Sequence, residues 1–231
     1  MIVEICASNF ESAVAAWQGG ADRIELCTKL SVGGVTPPKD LIDKVISEIN
    51  IPVHVLVRPR AGNFCFSETE IRDMIHSIWN CRDSGCAGIV SGILTAENEI
   101  DINNTTRLME AAEGMEFTFH RAFDVCAKPI SAINDLLKLG IDRLLSSGQQ
   151  PNAIDGIELL TRIHEHSQHK IEIMPGAGIN PANVLGFKEA GFKSVHLSAI
   201  NKTKPAGSLF ENGVEGISDL DTIKEIVNLL R

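Results

Sequence analysis

Two short runs near the N-terminus each pair a carboxylate with a thiol: Glu4-Ile5-Cys6 and, 21 residues on, Glu25-Leu26-Cys27. In an extended chain successive side chains alternate, so Glu4 and Cys6 share one face, as do Glu25 and Cys27. If the two runs are neighbouring strands, all four groups meet. Strand spacing of ~4.8 Å and a stagger of one step would put the Cα atoms of Cys6 and Cys27 about 6 Å apart. That separation suits two thiolates on one soft cation, and it equally admits a disulfide or two inert buried thiols.

A second set of reactive types lies in the segments that follow later strands. These are Arg58-Pro-Arg60, His120-Arg121-Ala122-Phe123-Asp124, and Pro175-Gly176-Ala177-Gly178 with Ser198 further on. His120 with Asp124 reads as a tuned acid/base pair or as a hydrogen-bonded core histidine, and Glu25 is the further candidate acid or base. Arg58, Arg60, Gly176, Gly178 and Ser198 could cradle a phosphate or carboxylate, although a Gly-Ala-Gly run also fits a plain tight turn. His164, His166 and His169 cluster at the end of an expected helix, where cationic groups suit the dipole. Cys81 and Cys86 read as packing thiols.

The elements that must position these groups follow from hydrophobic period. Strands are expected near 2–6, 22–27, 52–58, 87–93, 116–120, 141–147, 170–175 and 194–198. Helices are expected near 9–19, 38–49, 67–84, 101–113, 128–139, 153–167, 180–190 and 218–230. Ser67 with Glu70 forms a capping box, Asn180 precedes Pro181, and Ser218 precedes two aspartates; each marks a helix start. Gly20-Ala-Asp-Arg-Ile-Glu-Leu and Gly140-Ile-Asp-Arg-Leu-Leu-Ser nearly repeat, with weaker copies at Gly85 and Gly191. Each copy runs from a helix-ending glycine into an even-numbered strand. The expected fold is therefore α/β, a single (β/α)8 TIM barrel spanning 1–231, with an irregular loop at about 200–217 before the last helix. A doubly wound open sheet is disfavoured, because no GxGxxG turn follows the first strand.

In such a barrel the outward strand faces should be apolar, and here they are: Ile5, Ile24, Val55, Phe117, Ile173 and Val195 are examples. The inward faces are unusually polar, holding Glu4, Cys6, Arg23, Glu25, Cys27, His54, Arg58, His120, Glu172 and His196. Buried charges must pair or border a wet cavity, so Arg23 and Arg143 at the strand starts are expected to bridge carboxylates at the closed end.

Composition narrows the function classes. A net charge of −9 argues against nucleic acid and anionic membrane as partners. No run approaches the ~20 apolar residues of a membrane span, and the start Met-Ile-Val-Glu lacks a basic leader. Six scattered cysteines without zinc spacing suit a cytoplasmic protein. Phe64 and Phe66 are expected either to close the barrel mouth or to form a homodimer contact.

Taken in order, Glu4-Ile-Cys6, Gly20 to Cys27, Gly33-Gly34 with Thr36-Pro37, Ile51 to His54, Val57 to Arg60, Phe119 to Asp124, Ser147-Gly-Gln149 and Pro175 to Gly178 resemble the CutC copper homeostasis family. The resemblance covers residues 1 to about 199. It implies a barrel that handles a copper ion, with Cu(I) held by Cys6 and Cys27; His54, Cys65 or His120 are candidate auxiliary ligands on this reading. The alternative is a barrel enzyme performing acid/base chemistry on a small anionic molecule. There Glu25, His120 and Asp124 would be catalytic, and Arg58, Arg60, Gly176, Gly178 and Ser198 would hold the anion.

Overall fold

Short stretches with apolar residues at every second position, each followed by a segment of helical period, fold among the described residues as eight parallel strands alternating with eight α-helices. The structure is a computed structural model and describes residues 1–200 and 216–231. In chain order the elements are β1 (Ile2–Ala7), α1 (Phe10–Gln18), β2 (Arg23–Leu26), α2 (Lys39–Glu48), β3 (Val53–Leu56), α3 (Glu68–Asp83), β4 (Gly88–Ser91) and α4 (Ile102–Ala111). They continue as β5 (Glu116–Phe119), α5 (Pro129–Leu139), β6 (Arg143–Ser146), α6 (Ile157–His166), β7 (Glu172–Pro175), α7 (Val184–Glu189), β8 (Ser194–Leu197) and α8 (Leu220–Leu230). The strands run β7-β6-β5-β4-β3-β2-β1-β8, and a parallel bridge between Gly176 and His196 closes the ring. This is the expected (β/α)8 barrel. The irregular stretch at about 200–217 falls, apart from its ends, outside the described residues.

The two faces of each strand do different work. Outward residues such as Ile5, Ile24, Val55, Phe117 and Ile173 join the helices in one buried apolar layer. Inside, Cys6, Cys27, Leu56 and Val90 form a small separate cluster. The closed end is an ion-pair network, as the inward arginines require. Arg23 Nε donates to Glu4 Oε2 at 2.5 Å, while Arg143 reaches Glu116 at 3.0 Å and Glu172 at 3.1 Å.

Helix starts follow local chemistry, with two departures. Ser67 and Glu70 cap α3 reciprocally, Ser67 N donating to Glu70 Oε2 at 2.7 Å and Glu70 N to Ser67 Oγ at 3.3 Å. At α8 the cap is Asp219, whose Oδ1 accepts from Thr222 N at 2.8 Å, and not Ser218. Ser218 is drawn inward: its N–H donates to Ser12 Oγ and its hydroxyl to Ser198 O. The Asn180-Pro181 signal opens a turn, in which Asn180 N donates to Asn183 Oδ1, and α7 begins only at Val184. Proline and asparagine suit a turn as well as a first helical turn, so the sequence could not separate the two.

Candidate functional site

The pairing of β1 with β2 sets Cys6 opposite Glu25, and the pairing of β1 with β8 sets Glu4 opposite His196. Parallel strands in this register point their inward side chains at a common axis. Cys27, one residue beyond β2, completes the set. Cys6 Sγ lies 3.6 Å from Cys27 Sγ and 3.8 Å from Glu25 Oε1. One ligand atom each from Cys6, Glu25 and His196 falls within 4.8 Å of the others. All six cysteines are free, so the thiol pair is not a disulfide.

Charge around the thiols is strongly arranged. His196 Nδ1 lies 2.7 Å from Glu4 Oε1 and 3.7 Å from Glu25 Oε2. Burial opposes a charge on His196, yet Glu25, the Cys6 contact and Glu4 together hold its pKa well above the usual range, so it is an imidazolium. Glu4 faces the same burial, and the bond from His196 with the Arg23 guanidinium holds its carboxyl well below the usual carboxylate range. Glu25 is pushed up to about 7 chiefly by burial, with Glu4 adding repulsion against the pull of His196. The Cys6 thiol is raised well above its ordinary value by its contact with Cys27, by burial and by Glu25.

Above these groups, at the C-terminal ends of the strands, is a cavity of about 490 Å³. Cys6, Glu25 and His196 form part of its wall, as do Arg58, His120, Gly178 and Ser198. Leu30, Leu56, Phe64 and Leu145 are among its apolar lining. Its volume lies within the range of small-molecule sites, roughly 300–1,000 Å³.

Six of the residues singled out in the sequence, Cys6, Glu25, Arg58, His120, Gly178 and Ser198, thus converge on one space, whereas Cys27, Gly176, Arg60 and Asp124 do not border it. Cys27 is fully buried behind Cys6. Gly176 gives its N–H to Ser146 O at 3.0 Å, so that donor is spent in the ladder. A Cβ there would meet Leu145 Cδ1 at 2.5 Å and His196 Cβ at 3.3 Å. Arg60 turns to the surface, where its Nε donates to Glu70 at 2.5 Å and its Nη atoms to Asn63 and Cys65 O. Asp124 does not orient His120. It accepts from Arg121 Nε at 2.8 Å, Ser146 Oγ at 2.5 Å and Ser147 Oγ at 2.8 Å, tying the chain after β5 to the end of β6.

His120 has a different arrangement. Its Nδ1 accepts the Ala122 N–H at 3.3 Å, which fixes the proton on Nε2. Burial, with help from Arg58, lowers its pKa to about 3, so the ring is neutral. Of the proposed auxiliary ligands, Cys65 is exposed and His54 Nε2 lies 3.4 Å from Glu116 at the closed end. Neither borders the cavity. Phe64 and Phe66 are buried within the chain, and Phe64 lines the mouth. His196 is the ligand-type residue that sequence reasoning left in the general polar ring. Its signal was ring closure, which makes β8 the neighbour of β1.

Comparison with known proteins agrees with this architecture. The family profile described as the CutC family matches residues 1–201. A family protein CutC of Histophilus somni (strain 2336) is 45% identical over 200 residues, covering 86% of this chain and 82% of the relative. Another, of Proteus mirabilis (strain HI4320), is 43% identical over 217 residues, covering 94% and 86%. The crystal structure of a candidate copper homeostasis protein, CutC from Streptococcus agalactiae, is similar with a TM-score of 0.82 and 32% identity, covering 87% of this chain and all of that one. The N-(5'-phosphoribosyl)anthranilate isomerase of Pyrococcus furiosus, 17% identical with a TM-score of 0.60 over 100% and 98% of the two chains, shares the fold alone.

Proposed function

The chain belongs to the CutC family, and from that premise we propose that it binds copper as Cu(I) through Cys6 and Cys27, with His196 and Glu25 beside the metal. The observation that carries this reading is the 3.6 Å approach of two free thiols under a cavity wall. Thiolate–metal bonds of about 2.3 Å, as in zinc sites, let one ion span that gap. Soft sulfur donors select Cu(I) over harder ions. Two thiolates with one Cu(I) carry a net charge of −1, and the imidazolium of His196 offsets it. The Cys6 proton must leave when metal binds, and the Glu25 carboxylate, with Oε1 3.8 Å away, is positioned to accept it. We place the protein in the cytoplasm, where free thiols persist; no helix among the described residues is long and apolar enough to cross a membrane.

Competition against a colourimetric Cu(I) chelator under anaerobic conditions tests the proposal. The expected result is one Cu(I) per chain, withdrawn from the chelator, and no withdrawal by the Cys6→Ser/Cys27→Ser protein. Equal competition by the folded double variant would overturn it.

A further inference from the structure

The copper reading uses only the floor of the cavity. Arg58 lines the same cavity and is 2% exposed. Its partners are all main-chain carbonyls: Nη1 donates to Val32 O at 3.0 Å and Gly34 O at 2.9 Å, and Nη2 to Gly62 O at 2.8 Å. Among the described residues no carboxylate pairs with it, in contrast to Arg23, Arg60, Arg121 and Arg143, which all have one. Its Nε has no hydrogen-bond partner. A buried cation without a counter-charge costs several kcal/mol, and folded proteins keep such groups paired unless a ligand supplies the charge.

His120 makes the same demand. It is 5% exposed, its Nδ1 is occupied, and its Nε2 has no partner. Since that nitrogen carries the proton, it is a buried donor without an acceptor. The two groups border one ring of the cavity wall: Arg58 Cζ lies 4.9 Å from the Phe64 ring centroid, and the His120 ring lies 5.0 Å from it, edge to face. Leu30, Leu56 and Leu145 supply apolar surface in the same cavity.

We propose that this cavity binds a small organic monocarboxylate, its carboxylate taken up by the Arg58 guanidinium and the His120 Nε2–H and its apolar part lying against Phe64 and the neighbouring leucines. One uncompensated positive charge calls for one negative charge. A neutral imidazole N–H adds a directed donor without adding charge.

The test uses benzoate as the probe and benzamide as its neutral isostere, added to the full chain kept copper-free by a chelator. Binding is read by ligand-observed saturation-transfer NMR and by the side-chain 15N shift of His120. Benzoate should bind about tenfold or more tightly than benzamide, because a charge-assisted hydrogen bond is lost with the carboxylate. Benzoate should also move the His120 Nε2 resonance. His120→Phe keeps an aromatic ring and should weaken benzoate about 10- to 100-fold, whereas His120→Gln keeps a donor and should retain most of the affinity. Circular dichroism confirms folding of each variant. Equal binding of benzoate and benzamide, an unmoved His120 resonance, or unchanged affinity in folded His120→Phe would overturn the proposal. So would saturation by inorganic phosphate with no response to benzoate.

Discussion

Glu4→Gln removes a single charge from the centre of the barrel while keeping the shape of the side chain. Glu4 is fully buried, accepts from Arg23 Nε at 2.5 Å and pairs with His196 Nδ1 at 2.7 Å. The amide leaves Arg23, 6% exposed, and the His196 imidazolium without that counter-charge. Breaking one side of a buried ion pair costs about 3–5 kcal/mol, most of it from the stranded partner. For a chain of this size, 1 kcal/mol moves the melting temperature by about 2–4 °C, so the expected drop is about 6–20 °C. Urea unfolding at pH 7, with wild type and variant compared at equal m-value, measures the loss. Arg23→Met supplies the second arm. If the cost comes from stranded charge, Glu4→Gln/Arg23→Met should be less destabilised than the sum of the single variants by about 2 kcal/mol. A Glu4→Gln cost below about 1 kcal/mol, or strict additivity in the cycle, would refute the reasoning.

Acid stability follows from the other buried groups. His54 and His120 have folded pKa values of about 4 and about 3 against 6.5 when unfolded, so the unfolded chain binds more protons and stability falls as pH drops below 6.5. Glu25, at about 7 against 4.5, opposes them over the same window by binding its proton first in the folded state. The balance is about one proton, or ~1.4 kcal/mol lost per pH unit between roughly pH 6 and 4.5, with a small addition of the same sign from half-exposed His164. Glu25→Gln removes the opposing proton and should steepen the fall to ~2.7 kcal/mol per unit; urea titrations at stepped pH would show an unchanged slope if the reasoning fails. Gly34 has φ +84°, and a Cβ there would meet Leu56 Cδ2 at 2.6 Å and Cys27 Sγ at 3.5 Å. Gly34→Ala should therefore lower stability by more than about 1 kcal/mol and weaken Cu(I) retention in chelator competition, and wild-type behaviour in both assays would contradict the packing described.

The barrel was legible because strand period alone separates an apolar outer face from a polar inner one. Ile5, Ile24 and Val55 went outward, while Glu4, Arg23 and Glu25 went inward, as alternation demands. The meeting of Cys6 with Cys27 followed from the same rule together with the adjacency of β1 and β2. What stayed hidden depends on where a side chain's partners lie in three dimensions. His120 and Asp124 are four positions apart, which looks like a pair, yet the backbone N–H of Ala122 occupies His120 Nδ1 and the serines at the end of β6 take Asp124. Arg58 and Arg60 are two residues apart and chemically alike, but one is buried beneath the mouth and the other lies against Glu70 at the start of α3. His196 reaches the thiols only because the last strand returns beside the first.

Copper K-edge X-ray absorption on the chain loaded with one equivalent of Cu(I) tests the central claim most directly. The account predicts two sulfur scatterers per copper at about 2.3 Å, falling to one in Cys27→Ser. A spectrum fitted by nitrogen and oxygen alone, or one unchanged by Cys27→Ser, would contradict it.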